Sequence, residues 1–104
     1  MTLQDFAKLL QTLAIPIAYY QFKSAQTLPF AVYYNPSDNV LRADNKVLYK
    51  TRNVTFEVYT NSKDIALEGR IEQLFNEHEI YYDDPTDVFI ESENVWQRTY
   101  NIIL

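Results

Sequence analysis

His78 is the only histidine in the chain, and so the only side chain whose ordinary titration falls near neutral pH. A base of that kind works with a nucleophile and an orienting carboxylate beside it. Ser24, Ser37, Ser62 and Ser92 sit in no nucleophile elbow, and the single glycine, Gly69, leaves nothing from which to build one. The same shortage excludes a glycine-rich phosphate loop. His78 instead closes an apolar helical stripe, where a terminal histidine is favoured by the helix dipole. The lack of cysteine removes disulfides, thiolate zinc sites and cysteine nucleophiles together.

Asp83, Asp84 and Asp87, with Glu91 and Glu93, form an acidic run. A hard cation wants several oxygen ligands on a glycine-turned loop, and this run has neither the glycine nor the spacing, so it reads as a solvated acidic loop. Paired-carboxylate glycoside chemistry needs a deep cleft that so short a chain struggles to form. Tyr49, Lys50, Arg52 and Tyr59 offer a small stacking surface for a single strand of nucleic acid, but a net charge of −5 opposes phosphate binding and favours packing as their role. No catalytic, cofactor or metal site is expected, and no specific nucleic-acid binding.

The charge is unevenly placed. Residues 1–60 carry six basic and four acidic side chains, while residues 61–104 carry three and ten. This reads either as an acidic solvated face or as two unlike faces, which would attract head to tail and build rings or filaments. Tyr19-Tyr20, Tyr33-Tyr34 and Tyr81-Tyr82 each fall in a strand-like run, so each pair sends one ring inward and one outward. The outward rings suit a protein contact unless a helix covers them.

The elements that position these residues follow from periodicity. Residues 46–78 form the central unit. Val54, Phe56 and Val58 alternate with Thr55, Glu57 and Tyr59, as in a half-buried strand. A helix over residues 63–78 follows, capped by Asn61 or Ser62, with Leu67, Ile71, Leu74, Phe75 and His78 on one stripe and Gly69 on the outer face. Thr2 with Asp5 predicts a capped first helix carrying Leu3, Phe6, Leu9, Leu10 and Leu13, ended by Pro16. Residues 17–22 and 30–34 read as a hairpin pair. Residues 35–39 read as a turn, 40–42 as a short extended piece and Asp44-Asn45 as a second turn. Residues 23–28 and 35–45 are the expected loops, ordering within an assembly. After Ile80, Asp83-Asp84-Pro85 breaks a strand, and residues 88–91 and 95–103 form a last hairpin with Glu93-Asn94 at its tip.

The expected fold is α+β: one domain over residues 1–104, with an antiparallel sheet of about four to six strands, two amphipathic helices packed on it, and the order α-β-β-β-β-α-β-β-β. No apolar run reaches the length of a membrane span, so no membrane association is expected.

Four segments carry a family likeness: LPFAVYYNPSDNVLRADNKVLYKT (residues 28–51), VTFEVYTNSKD (54–64), IEQLF (71–75) and FIESENVWQRTYNI (89–102). They resemble small prophage proteins of Gram-positive bacteria that are encoded among head–tail joining and tail genes. The order strand, Lys63-Asp64, helix is also similar to tail terminator and tail completion proteins of long-tailed phages. The resemblance implies a small α+β, non-enzymatic structural subunit that forms a homo-oligomeric ring capping the tail tube. Its implied partners are copies of itself and other tail or head-completion proteins. Its implied locations are the host cytoplasm during assembly and then the virion. For such a subunit, Thr55, Glu57 and Tyr59 on the strand, and Gly69, Gln73 and Asn76 on the helix, are the candidate subunit interface. Two other readings stand beside it: a small acidic intracellular protein-binding module of the inhibitor type, and a small hydrolase using His78.

Overall fold

The computed structural model describes residues 1–104. Helix α1 (Leu3–Leu10) begins with a capping box: the Thr2 hydroxyl accepts from the Asp5 N–H at 3.0 Å, and Asp5 accepts from the Thr2 N–H at 3.2 Å. Phe6, Leu10 and then Leu13, in a 3-10 turn at Gln11–Leu13, face the core. The helical path stops at Ala14, which takes a left-handed conformation two residues before Pro16.

The strands are β1 (Ile17–Tyr19), β2 (Phe30–Ala43), β3 (Lys46–Thr60), β4 (Tyr81–Tyr82), β5 (Thr86–Ile90) and β6 (Val95–Ile103), with helix α2 (Ile65–Glu77) between β3 and β4. They form one mixed sheet in the order β1-β2-β3-β6-β4, and β5 pairs with β6 beside β4. The α+β class and the two packed helices are as expected. One face of the sheet is covered: Ala31, Val54, Phe56, Val58, Tyr100 and Ile102 meet Phe6, Leu10, Leu67, Ile71 and Phe75 in a single core. Phe75 is its hub, with ring centroids 5.8–6.0 Å from those of Phe6, Phe56, Tyr82 and Tyr100.

Three expectations are corrected. β1 and β2 are not a hairpin: they pair in parallel, with Ile17 opposite Ala31 and Tyr19 opposite Tyr33. Tyr20 turns left-handed at the end of β1, and the segment that follows crosses back over the open face of the sheet, where Phe22 packs edge-on to Phe30 at 5.6 Å. Residues 35–39 are not a turn. β2 runs through them, because β3 supplies a continuous partner and Pro36 falls in a bulge between Tyr34 and Ser37, where its missing N–H breaks no ladder bond. The expected second and third strands are therefore one, and residues 35–45 are not a loop. Helix α2 starts later than expected, since Asp64 is the cap and accepts from the Leu67 N–H at 3.0 Å.

The turn at Asp44-Asn45 is confirmed, with φ of 50° and 62°, the two left-handed residues of a two-residue hairpin. Residues 46–60 are one long strand. Past Asn53, which pairs with Ile103, no third strand supports β2 and β3. The Arg52 and Leu104 backbones exchange hydrogen bonds of 2.8 and 2.9 Å, and beyond them the two strands project as a bare ribbon. This arm stretches the molecule to 51 × 28 × 24 Å.

Candidate functional site: an aromatic groove on the open face of the sheet

Strand alternation places Phe30, Val32 and Tyr34 of β2, and Thr55, Glu57 and Tyr59 of β3, on the face away from the helices. The crossing segment, with Tyr20, Phe22, Ser24 and Gln26, walls one side. Between wall and sheet lies an open groove of about 570 Å³. Its rings are interlocked. Phe30 stacks on Tyr59 with centroids 5.0 Å apart, and Tyr20 meets Tyr34 edge-on at 5.7 Å.

Glu57 is the only charged side chain lining this groove. Its carboxylate accepts from Gln97 Nε2 at 2.7 Å, and the same amide donates to the Tyr59 hydroxyl at 2.8 Å. None of the protein's ion pairs involves Glu57. Burial raises its pKa above the ordinary glutamate value, since a carboxylate withdrawn from water resists ionisation. Burial also pushes the Tyr59 phenol up. The groove therefore combines apolar surface with a half-buried carboxylate that has no cation, a setting that suits a group both apolar and positively charged.

The six candidate interface residues form two separate patches. Thr55, Glu57 and Tyr59 lie together on the groove face and are half-buried. Gly69, Gln73 and Asn76 lie on the exposed side of α2, which packs on the other face of the sheet. Gln73 donates to Glu77 at 2.9 Å, and the space around Gly69 is open, with nothing beyond its chain neighbours and its own helix backbone within 4 Å of where a Cβ would stand.

His78 ends α2 on the helix side, with Nδ1 3.0 Å from the Leu74 carbonyl. The outward and inward rings of the tyrosine pairs separate as expected at Tyr81-Tyr82, where Tyr81 is exposed and Tyr82 packs on the core. Tyr33 joins the core face while Tyr34 joins the groove.

The acidic run does not stay together. Asp87 turns to Arg98, its register partner across the β5–β6 hairpin, at 2.8 Å, and to Lys63 at 2.8 Å. Lys63 also binds Glu68 at 2.8 Å, and Arg98 reaches Glu68 at 3.4 Å and Glu72 at 3.3 Å. The hydrogen bond from Lys63, joined by one from Arg98, holds the Asp87 carboxyl below the ordinary range. This network clamps α2 to the hairpin and was not foreseen in the sequence. Its signals were there: Glu68 and Glu72 are one helical turn apart, and Asp87 and Arg98 occupy matching positions of the last hairpin.

No helix is long and apolar enough to cross a membrane. No protein-family model matches the chain, and a search of curated proteins returns no match.

Proposed function

We propose that the chain is a non-enzymatic structural subunit that acts by assembling with copies of itself, in the manner of a tail terminator or head–tail completion protein of a long-tailed phage. The observation that carries this reading is the arm. A two-stranded ribbon is marginal in water on its own, yet this one bears Leu41, Val47, Leu48 and Tyr49 at 60–64% exposure. Leu41, Val47 and Tyr49 share one face of the ribbon and Leu48 stands on the other, and exposed apolar side chains gathered in this way mark a contact with another protein. The resemblance of residues 28–102 to phage head–tail and tail proteins supplies the biological setting: assembly in the host cytoplasm, then residence in the virion.

The acidic inhibitor-type module draws less support. Three of the carboxylates in the acidic half, Glu68, Glu72 and Asp87, are engaged by Arg98 and Lys63 within the chain and are not presented to a basic partner.

Light scattering and negative-stain microscopy over a concentration series test the proposal, alone and with phage tail tubes that lack a terminator. Discrete rings, free or on tube ends, are expected. A strict monomer that leaves the tube ends bare overturns it.

A further inference from the structure

We propose that the arm of one copy seats in the aromatic groove of the next, with a basic side chain of the arm meeting Glu57. This rests on the self-assembly reading above and specifies its contact.

The two surfaces are complementary in chemistry. The arm offers exposed Leu48 beside Lys46, Lys50 and Arg52 on one face and exposed Tyr49 beside Arg42 on the other, against only two acidic residues, Asp38 and Asp44. Of those four cations only Lys50 has an ion-pair partner in the chain, Asp38 at 3.3 Å, and that pair is exposed and weak. The groove offers aromatic surface around a single half-buried carboxylate with no cation. A cation delivered on an apolar ribbon would satisfy Glu57 and bury both apolar surfaces at once.

The arm cannot fill the groove of its own chain. β2 and β3 floor the groove and continue directly into the arm, so the ribbon points away from it. Between Asn53 and Lys46 it advances roughly 24 Å at the rise of an antiparallel strand. The occupant is therefore a second copy, and the contact joins two different patches. Such a junction is heterologous: repeated, it closes into a ring when the rotation allows and otherwise extends as a filament.

The chain has no cysteine, which makes disulfide trapping clean. Full-length Ala43→Cys, near the tip of the arm, is mixed with full-length Ser24→Cys, on the groove wall, and oxidised. A second mixture pairs Ala43→Cys with Lys8→Cys, an exposed position on α1. Mixed disulfides at Ser24 are expected to form faster than at Lys8. Adding Glu57→Lys to the Ser24→Cys copy is expected to slow trapping about tenfold or more, as for loss of a desolvated charge pair. Circular dichroism of each variant establishes that it is folded. Equal trapping at Ser24 and Lys8, or trapping indifferent to Glu57→Lys in a folded variant, overturns the arm-in-groove contact. If rings of the unmodified protein are still seen, the self-assembly reading survives on another surface. If neither rings nor bound tube ends appear, that reading fails by itself.

Discussion

The guanidinium of Arg98 lies over the ring of Tyr100, 5.3 Å from its centroid, and its Nε donates to the hydroxyl of that ring at 2.9 Å. Tyr100 donates onward to Glu72 at 2.7 Å. Burial, together with the bond to Glu72, pushes the Tyr100 phenol above its ordinary range and keeps it a donor. The two residues stand on one face of β6 and tie the sheet to α2 through Glu68 and Glu72.

Arg98→Ala removes the cation shared by Asp87, Glu68 and Glu72 and is expected to destabilise the fold by about 2–4 kcal/mol. Lys63→Ala removes a far more exposed partner and is expected to cost less than about 1 kcal/mol. Urea unfolding of both variants ranks them, and the reverse order would remove Arg98 from the centre of the network.

Asp87 and Glu57 give opposite pH dependence. The depressed Asp87 pKa stabilises the fold above the ordinary value of 3.8 and is lost as pH falls through the lower folded value. Asp87→Asn is therefore less stable than the parent at pH 7, and the gap closes in acid. The raised Glu57 pKa means that stability falls as pH rises from the ordinary 4.5 through the higher folded value. Glu57→Gln is then more stable than the parent at neutral pH and equal to it below 4.5. Thermal unfolding from acid to neutral pH reads both differences.

Gly69→Ala adds a methyl group to open space on an exposed helix turn. It is expected to stabilise the isolated chain by about 0.5–1 kcal/mol through helix propensity. If a neighbouring subunit's backbone approaches this turn closely, the same change weakens assembly while raising the melting temperature. Measuring both on one sample separates a plain outer face from an interface.

A ladder of side chains ties the strands where the arm leaves the body. Asn53 donates to Ser37 at 3.0 Å and to Asn39 at 3.2 Å, while Asn39 donates to Asn53 at 2.8 Å and to Thr51 at 3.2 Å. Asn53→Ala is expected to cost about 1 kcal/mol. The loss should appear as faster amide exchange in the arm, with protection of Val54, Phe56 and Val58 unchanged. A uniform loss across β3 would show that the arm and body open together.

What the sequence disclosed depended on how local the physics was. Alternation at Val54, Phe56 and Val58, the Thr2–Asp5 box and the Asp44-Asn45 turn are set by near neighbours, and each is where the pattern placed it. Asn35-Pro36-Ser37-Asp38 reads locally as a turn, and only pairing with β3 makes it strand, a tertiary effect that residue preferences do not carry. The parallel β1–β2 pair was hidden for the same reason: it forms only when the segment after β1 carries the chain back to the start of β2, where Phe22 packs on Phe30. The face of Thr55, Glu57 and Tyr59 was legible from alternation. The groove was not, because its wall is built from residues 20–26, which read locally as the end of a strand followed by a loop, whereas the strand stops at Tyr19.

The Asp44-Asn45 turn also bears on how the chain folds. It joins the two longest strands through two residues, so closing that loop loses little chain entropy, and a hairpin of this kind forms on the order of microseconds. The β3–β6 ladder must wait for a distant partner, since Asn53 meets Ile103. Zipping from the tip would carry the register of β2 and β3 inward before β6 arrives. The ribbon that projects farthest from the finished body would then be the nucleus on which the sheet is laid down.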